Sequence, residues 1–378
     1  MPGLQAAFTL NPNEIFGSIG NMIISQQVFA DNLGKHQTLV DKARVDGGLY
    51  GDKKLYYATD VLASNAWGAD AEAANLLAID RPQPPKVQDI TLNIFRQIRL
   101  TVDNYLSKRA WSNEGAFSEF NSVMLGWMRE TKRVYDGTLY NVFIGTTQTS
   151  VGKQMQSIDL TTGLSGLSGI EKDRKEAELI AQALADLIVE MGDYSRDFND
   201  YEFLRSYANE SIKVIWNHKF INKIRKVDLL TIFHKEGLVD KFEEDVIPAR
   251  YFGHVVGASD IGSGKVIGTD GAYDSTKGTL RAVREFVYND VHYFPGDALA
   301  TSGTYVAVVG GLEAKDVYVE DADVICKVLV KLPPIMSAFE VGTSFFNPRS
   351  LTENHYLTWG HNTLEKLDNY PFITVKKA

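Results

Sequence analysis

The stretch of this chain that says most about its fold is residues 112–145, SNEGAFSEFNSVMLGWMRETKRVYDGTLYNVFIG. Apolar side chains recur there every three or four positions, which places them on one side of an α-helix. They are Phe117, Phe120, Met124, Trp127, Met128, Val134, Tyr135, Leu139 and Val142. A helix of about thirty residues would be about 45 Å long, at least twice the usual length. Asn113 and Glu114 suit its start, and Gly145 followed by Thr146 suits its end.

The segment before this helix predicts a long β-hairpin. Residues 55–62 are typical of a strand, and residues 87–102 predict a much longer one, with apolar side chains on the even positions and polar ones on the odd. Phe95 and Arg96 break the pattern, which predicts a bulge there. The tip between the strands ends in the proline-rich residues 81–85. An isolated ribbon about 50 Å long is marginally stable, so either its own chain or another copy must support it.

Residues 1–50 predict an arm, because glycine, proline and scattered apolar residues leave too little apolar surface for an independent core. Such an arm can pack on its own chain or lie across a neighbouring subunit. Both alternatives stay open from the sequence.

The segment after the long helix predicts a mixture of helices and strands. Residues 146–169 are typical of an exposed loop at a domain boundary, and Ser168 with Glu171 forms a capping-box pattern before a second helix. The predicted buried face of that helix comprises Ala177, Ile180, Ala181, Leu184, Leu187, Ile188 and Met191. Asn217 follows a predicted strand at 212–216 and caps a short helix. Further strands are predicted at 305–309, 317–319, 324–330, 356–359 and 372–375, which makes the fold class α+β.

Composition limits the classes of function. The 378 residues are 44% hydrophobic and 23% charged, as in ordinary folded proteins of two or three domains. A net charge of −9 argues against nucleic-acid binding through a broad basic surface, although an enclosure around DNA needs no such surface. Cys326 is the only cysteine, which fits a reducing compartment and an inert buried thiol. Neither a signal peptide nor a membrane span is expected from the sequence.

Motifs for catalysis or metal binding are weak. Residues 261–266 (IGSGKV) approach a phosphate-binding loop, but Ser259 replaces its first glycine and Val266 its Ser or Thr. The seven histidines, His36, His218, His234, His254, His292, His355 and His361, are not spaced as metal ligands. Residues 270–274 lack the ligands of a calcium loop, and the acidic residues 320–323 are interpreted as a solvated rim. No catalytic, cofactor-binding or metal-binding residue is therefore predicted, and the chain is not expected to be an enzyme.

Two motifs and the order of elements carry a resemblance to a known family. The motifs are IKVIWNHKFINKI at residues 212–224 and YPFITVKK at residues 370–377. Together with the arm, the hairpin, the long helix and the glycine-rich loop, they resemble the major capsid proteins of tailed bacteriophages, the Hong Kong 97-type or Johnson fold. The resemblance covers residues 50–378. It implies an N-arm at 1–50, an extended hairpin (E-loop) at 51–110, a P-domain with a spine helix at 111–146 and 315–362, and an A-domain at 147–314 and 363–378.

The resemblance also implies a function. The family's subunits form the hexamers and pentamers of an icosahedral shell around double-stranded DNA, without sequence-specific binding, and work with a portal protein. The short N-terminus implies a separate scaffolding protein. The expected location is the virion capsid, after assembly in the host bacterial cytoplasm, with no membrane partner. Family members expand during maturation, and Gly126 and Gly137 are candidate hinges in the long helix. Some members cross-link through a hairpin lysine; Lys53, Lys54 and Lys86 are in range here, without an identified partner.

Two alternatives remain open. An encapsulin-like nanocompartment subunit has the same fold but encloses proteins, and an unrelated α+β enzyme would not form a large particle. Particle size separates the shell from the enzyme. The presence of nucleic acid and a portal separates the capsid from the nanocompartment.

Overall fold

The computed structural model describes residues 38–47, 53–64, 79, 81–103, 114–147, 152–226, 243–256, 278–288, 290–299 and 314–378. The helices among them, apart from short 3₁₀ turns, are α1 (Leu39–Ala43), α2 (Glu114–Gly145), α3 (Gly169–Gly192) and α4 (His218–Lys226). The strands are β1 (Arg44–Asp46), β2 (Lys53–Ala58), β3 (Lys86–Asp103), β4 (Thr146–Thr147), β5 (Met155–Ile158), β6 (Lys213–Asn217), β7 (Glu243–Ile247), β8 (Gly253–Val255), β9 (Leu280–Ala282), β10 (Phe286–Tyr288), β11 (Val291–Tyr293), β12 (Val317–Glu320), β13 (Val324–Leu329), β14 (Ile335–Asn347), β15 (Thr352–Asn362) and β16 (Phe372–Lys377). The predicted strand at 305–309 lies outside the described residues.

The long helix is present, but its buried face differs from the predicted one. Helix α2 has 32 residues and ends at Gly145 as predicted. Tyr135 is buried as expected, with Met128 and Val142, whereas Trp127 is 54% exposed. Val134 is also exposed, and the predicted positions 117, 120 and 124, like the cap at 113, lie outside the described side chains. The face is rotated because two charged residues, Lys132 and Asp136, occupy the buried stripe.

The second and third predicted helices form largely as expected. All seven predicted apolar residues of α3 are buried. The capping box is wrong, because Ser168 occupies the N-cap position with an extended backbone but its side chain makes no capping hydrogen bond. Asn217 does cap α4, since its Oδ1 accepts from the N–H of Lys219 at 3.1 Å.

The chain divides into two compact units. The first comprises residues 1–52, 91–140 and 334–363. In it, β1 runs parallel to the start of β14, and β14, β15 and β3 follow as antiparallel neighbours. β3 pairs with β15 from Leu92↔Asn362 to Asp103↔Thr352. The long strand is therefore supported by its own chain along most of its length. Pairing to β15 was not predicted, and β14 was missed, because its sequence lacks a clean alternation.

The predicted alternation of β3 is confirmed, but its bulge is elsewhere. Even positions are the more buried ones from Gln88 to Val102, including Arg96. The register shifts between Ile94↔His361 and Leu92↔Asn362, so Asn93 is the extra residue. Its amide group bonds the backbone N–H and the hydroxyl of Thr363, both at 2.8 Å. Arg96 is accommodated at an inward position because its guanidinium group lies over the ring of Tyr135.

The second unit comprises residues 53–90, 141–333 and 364–378. Its larger sheet has the order β5-β16-β13-β6-β7, and α3 packs on it through a core that includes Leu184, Met191, Val214 and Ile373. A smaller sheet has the order β4-β8-β12-β9, and β10 pairs with β11. β2 lies beside the beginning of β3, where Lys53 and Asp89 form an ion pair at 2.5 Å. Among the described helices, none is long and apolar enough to cross a bilayer.

Candidate assembly surfaces

A buried polar network fastens α2 within the first unit. Asp136, 3% exposed, accepts from Lys132 Nζ at 3.1 Å and Arg44 Nη2 at 3.3 Å through Oδ2. Lys132 Nζ also lies 3.3 Å from Glu340 Oε2. Burying a charge is costly unless it is paired, so these groups hold one another in place. The network joins α2 to β1 and to β14.

A β-bulge in β14 positions Glu340. The pairing passes from Ala338↔Gly360 to Val341↔Thr358, so β14 has one residue more than β15 at this point. A bulge re-aims the side chains around it. Here it brings the Glu340 carboxylate to the lysine of α2 without disturbing the pairing on either side.

A second polar cluster lies beside the network. His361 Nδ1 is 2.9 Å from the carbonyl oxygen of Asn362, which only accepts, so Nδ1 carries the proton. Nε2 therefore accepts from the Tyr135 hydroxyl at 3.0 Å. The Arg96 guanidinium lies 4.9 Å from the centroid of the Tyr135 ring, a cation–π contact. Burial, reinforced by the nearby charges of Arg96 and Lys132, lowers the pKa of His361 and keeps the ring neutral.

In the second unit, a buried lysine contacts the end of the long helix. Lys327 Nζ donates to the Thr374 hydroxyl at 2.7 Å and to the carbonyl oxygen of Thr146, the residue after α2, at 3.2 Å. Its ammonium group also lies over the Phe372 ring at 5.1 Å. Burial lowers the pKa of Lys327 to about 7. The sequence did not predict a buried lysine here, because residues 324–330 are otherwise apolar and were interpreted as an apolar strand.

The residues that follow β2 at the base of the hairpin are held within the second unit by an ion pair and hydrogen bonds. Asp60 forms an ion pair with Arg196 at 2.6 Å and accepts from the backbone N–H of Leu204 at 3.0 Å. Arg205 donates to the carbonyl oxygen of Thr59. The hydrogen bond from Arg196, followed by that from Leu204, lowers the pKa of Asp60 to about 2. The carboxylate is therefore ionised at neutral pH and holds the segment after β2 against residues 196 and 204 of the same unit.

The outward face of the hairpin is apolar. Leu55 and Tyr57 lie on one side of β2, and Tyr57 is 65% exposed. Val87 on β3 shares this face, because its neighbour Asp89 meets Lys53 there. Leu62, just beyond β2, is 75% exposed. Grouped exposed apolar side chains of this kind mark an interaction surface.

A second exposed apolar group lies on the distal half of β14. Phe345, 62% exposed, and Phe346 point to opposite faces of that strand, and Val341 and Leu351 are exposed near them. Except for Leu62 and Leu351, these residues lie on extended strands, which suits pairing with another molecule better than the enclosure of a small ligand.

The residues considered for chemistry are scattered. Cys326 is buried, and burial raises the pKa of its thiol. Glu320, interpreted as part of a solvated rim, is instead largely buried in an ion pair with Arg281 at 2.7 Å, which corrects that interpretation. Lys53 is paired with Asp89, and Lys86 is exposed. Residues 257–277, with the phosphate-loop-like segment and the whole acidic turn, lie outside the described residues. Among the described residues, no three His, Cys, Asp or Glu side chains are grouped to hold a metal ion.

Comparison with known proteins identifies the fold. No family model matches the chain, and no curated protein matches it. The chain is similar to a chain of the capsid structure of Staphylococcus phage Andhra, with a TM-score of 0.54 and 10% identity, covering 90% of this chain and 84% of that one. It is also similar to a chain of the structure of the head fibre and inner core protein gp22 of native bacteriophage P68, with a TM-score of 0.57, 10% identity, and coverage of 90% and 85%.

At such identities the likeness is one of fold, and it extends over nearly the whole of each chain. The chain is thus a mixed helix-and-strand protein, with few helices and many strands, that has the fold of phage capsid proteins.

Proposed function

We propose that the chain is the major capsid subunit of a tailed bacteriophage, which assembles into the hexamers and pentamers of an icosahedral shell around double-stranded DNA. The observation that carries the proposal is the shared fold with phage capsid structures over 90% of the chain. The exposed apolar faces of the hairpin and of distal β14 support it, because they suit contacts between copies.

The proposed parts follow the Hong Kong 97-type plan. They are an N-arm at 1–50, an E-loop at 51–110, a P-domain with spine helix α2 at 111–146 and 315–362, and an A-domain at 147–314 and 363–378. The union of most of α2 with β14 and β15 in one unit supports a P-domain. In one respect we propose a change to these boundaries: residues 315–333 belong to the A-domain instead of the P-domain, because β12 and β13 pair with strands of the second unit.

The proposed partners are other copies of the chain, a scaffolding protein, a portal protein and the enclosed DNA. With a net charge of −9, we expect only weak, salt-screened contacts to DNA and no sequence-specific binding. The proposed location is the virion capsid, after assembly in the host bacterial cytoplasm, and neither catalysis nor a membrane contact is part of the function.

The test is electron microscopy and size-exclusion chromatography of the expressed chain, alone and with the products of neighbouring genes. A shell subunit gives closed particles of megadalton mass that bury far more than about 800 Å² per partner. A monodisperse monomer at high concentration would contradict the proposal. Closed particles that enclose proteins, without DNA or a portal, would instead identify an encapsulin-like nanocompartment, and submicromolar binding of duplex DNA by the free subunit would refute passive enclosure.

A further inference from the structure

The outer edge of distal β14 lacks a neighbouring strand among the residues that the structure describes. We call residues 341–347 of this strand the β14 edge. β15 pairs with it from Val341↔Thr358 to Asn347↔Thr352, whereas β1 pairs only with Ile335–Ser337. In an antiparallel ladder, alternate residues direct their backbone N–H and C=O groups to opposite sides. About half of the backbone polar groups of the β14 edge therefore face away from β15.

Within residues 341–347 the β14 edge lacks the features that prevent strands from associating, since the bulge of this strand lies before it, at residues 339–340. Its sequence, VGTSFFN, contains neither a charged residue nor proline, and its apolar side chains are exposed. Native sheets commonly protect an edge with charges, prolines or bulges. The same chain does so at β7, an edge of the larger sheet in the second unit, which begins with Glu243, Glu244 and Asp245. The contrast indicates that the β14 edge is built to pair.

The sequence of the edge is complementary to itself. An antiparallel pair related by a two-fold axis through Ser344 sets Gly342 opposite the partner's Phe346, and Thr343 opposite the partner's Phe345. A Cβ atom built on Gly342 meets nothing within 4 Å, so the space over this residue is open for an aromatic ring. A two-fold contact also satisfies both edges at once, because the same surface is used on each copy.

We propose that two copies of the chain pair antiparallel along their β14 edges, with Ser344 facing Ser344 of the partner subunit and each Phe346 lying over Gly342 of the other copy. The inference rests on the proposed function only for the source of the second copy, since a shell brings many copies together. A seven-residue edge is about 24 Å long, so the contact adds to larger interfaces between subunits.

The test uses single cysteine variants of the full chain. In the proposed register the two Ser344 Cα atoms are about 4.5–5.5 Å apart, within the range of a disulfide. The two Thr343 Cα atoms are offset by two positions along the strand and lie more than about 8 Å apart, which is beyond that range. Ser344→Cys is therefore the test, and Thr343→Cys, one residue away on the same strand, is the matched control. The natural Cys326 is buried, so the unaltered chain gives the background.

Each variant is treated with oxidised glutathione, both as soluble protein at high concentration and as assembled particles, and covalent dimers are measured by non-reducing electrophoresis. We expect at least tenfold more dimer from Ser344→Cys than from Thr343→Cys. Equal yields, or more dimer from Thr343→Cys, would overturn the inference. Particles without Ser344→Cys dimers would overturn it while leaving the shell function intact, whereas Ser344→Cys dimers without any particle would support the pairing and count against the shell.

Discussion

Asp136→Asn tests whether the buried polar network of Arg44, Lys132, Asp136 and Glu340 stabilises the first unit. The carboxylate is 3% exposed and neutralises Lys132 and Arg44, at 3.1 and 3.3 Å. Removing one partner of a buried ion pair costs about 3–5 kcal/mol, because the remaining charge stays buried. Glu340, 49% exposed, still contacts Lys132, so we expect the lower end of this range, about 3 kcal/mol.

The measurement is thermal unfolding by circular dichroism, together with hydrogen exchange of the α2 amides. For a domain of 150–250 residues, about 3 kcal/mol corresponds to a midpoint about 6–12 °C lower. The matched control is Glu178→Gln on α3, which breaks an exposed pair with Lys175 of nearly the same length, 3.0 Å. Exposed pairs contribute about 0.2–1 kcal/mol, so the control should barely change the midpoint.

A double variant separates lost charge pairing from lost packing. Lys132→Met with Asp136→Leu removes both charges and retains apolar volume, so it should recover most of the stability lost in Asp136→Asn. The reasoning would be refuted if Asp136→Asn lowered the midpoint no more than Glu178→Gln, or if the double variant were as unstable as the single one.

Three further predictions concern the helix, the hairpin and pH. Nothing lies within 4 Å of a Cβ built on Gly137, so Gly126→Ala with Gly137→Ala should stabilise the helical conformation of α2 by about 1 kcal/mol at each site. If α2 bends during expansion, the double variant should assemble into particles that do not expand, and normal expansion seen by electron microscopy would exclude the hinge role. Asp60→Asn should lower the local stability of β2 by about 1–3 kcal/mol and speed its hydrogen exchange, whereas Asp89→Asn should leave the exchange rates unchanged. Because the pKa of Asp60 is lowered, its contribution to stability is present above about pH 4 and is lost as pH falls towards 2. The lowered pKa of His361 means that stability should fall as pH drops below about 6.5, by at most about 1.4 kcal/mol per pH unit, and His361→Gln should flatten this slope in unfolding curves between pH 7 and 5.

The division of a helix or strand into a buried and an exposed face is a local property, and the sequence alone determined it well for α3 and β3. The seven buried residues of α3 follow from their spacing, since one face of a helix must be apolar to pack on a sheet. The alternation of β3 follows from the two-residue period of a strand. The end of α2 at Gly145 and the cap at Asn217 likewise depend on neighbours within a few residues.

The tertiary structure alone decided which charged residues are buried and which strands are neighbours. Lys132 and Asp136 belong to the buried face of α2 because Arg44, 92 residues before Asp136, and the bulged Glu340 complete their pairing. The support of β3 by β15, and the β14 edge that no other described strand pairs with, arise in the same way. A charge can be buried only where distant partners meet it, and an edge exists only where no strand arrives, so neither is encoded in the periodicity of a single segment.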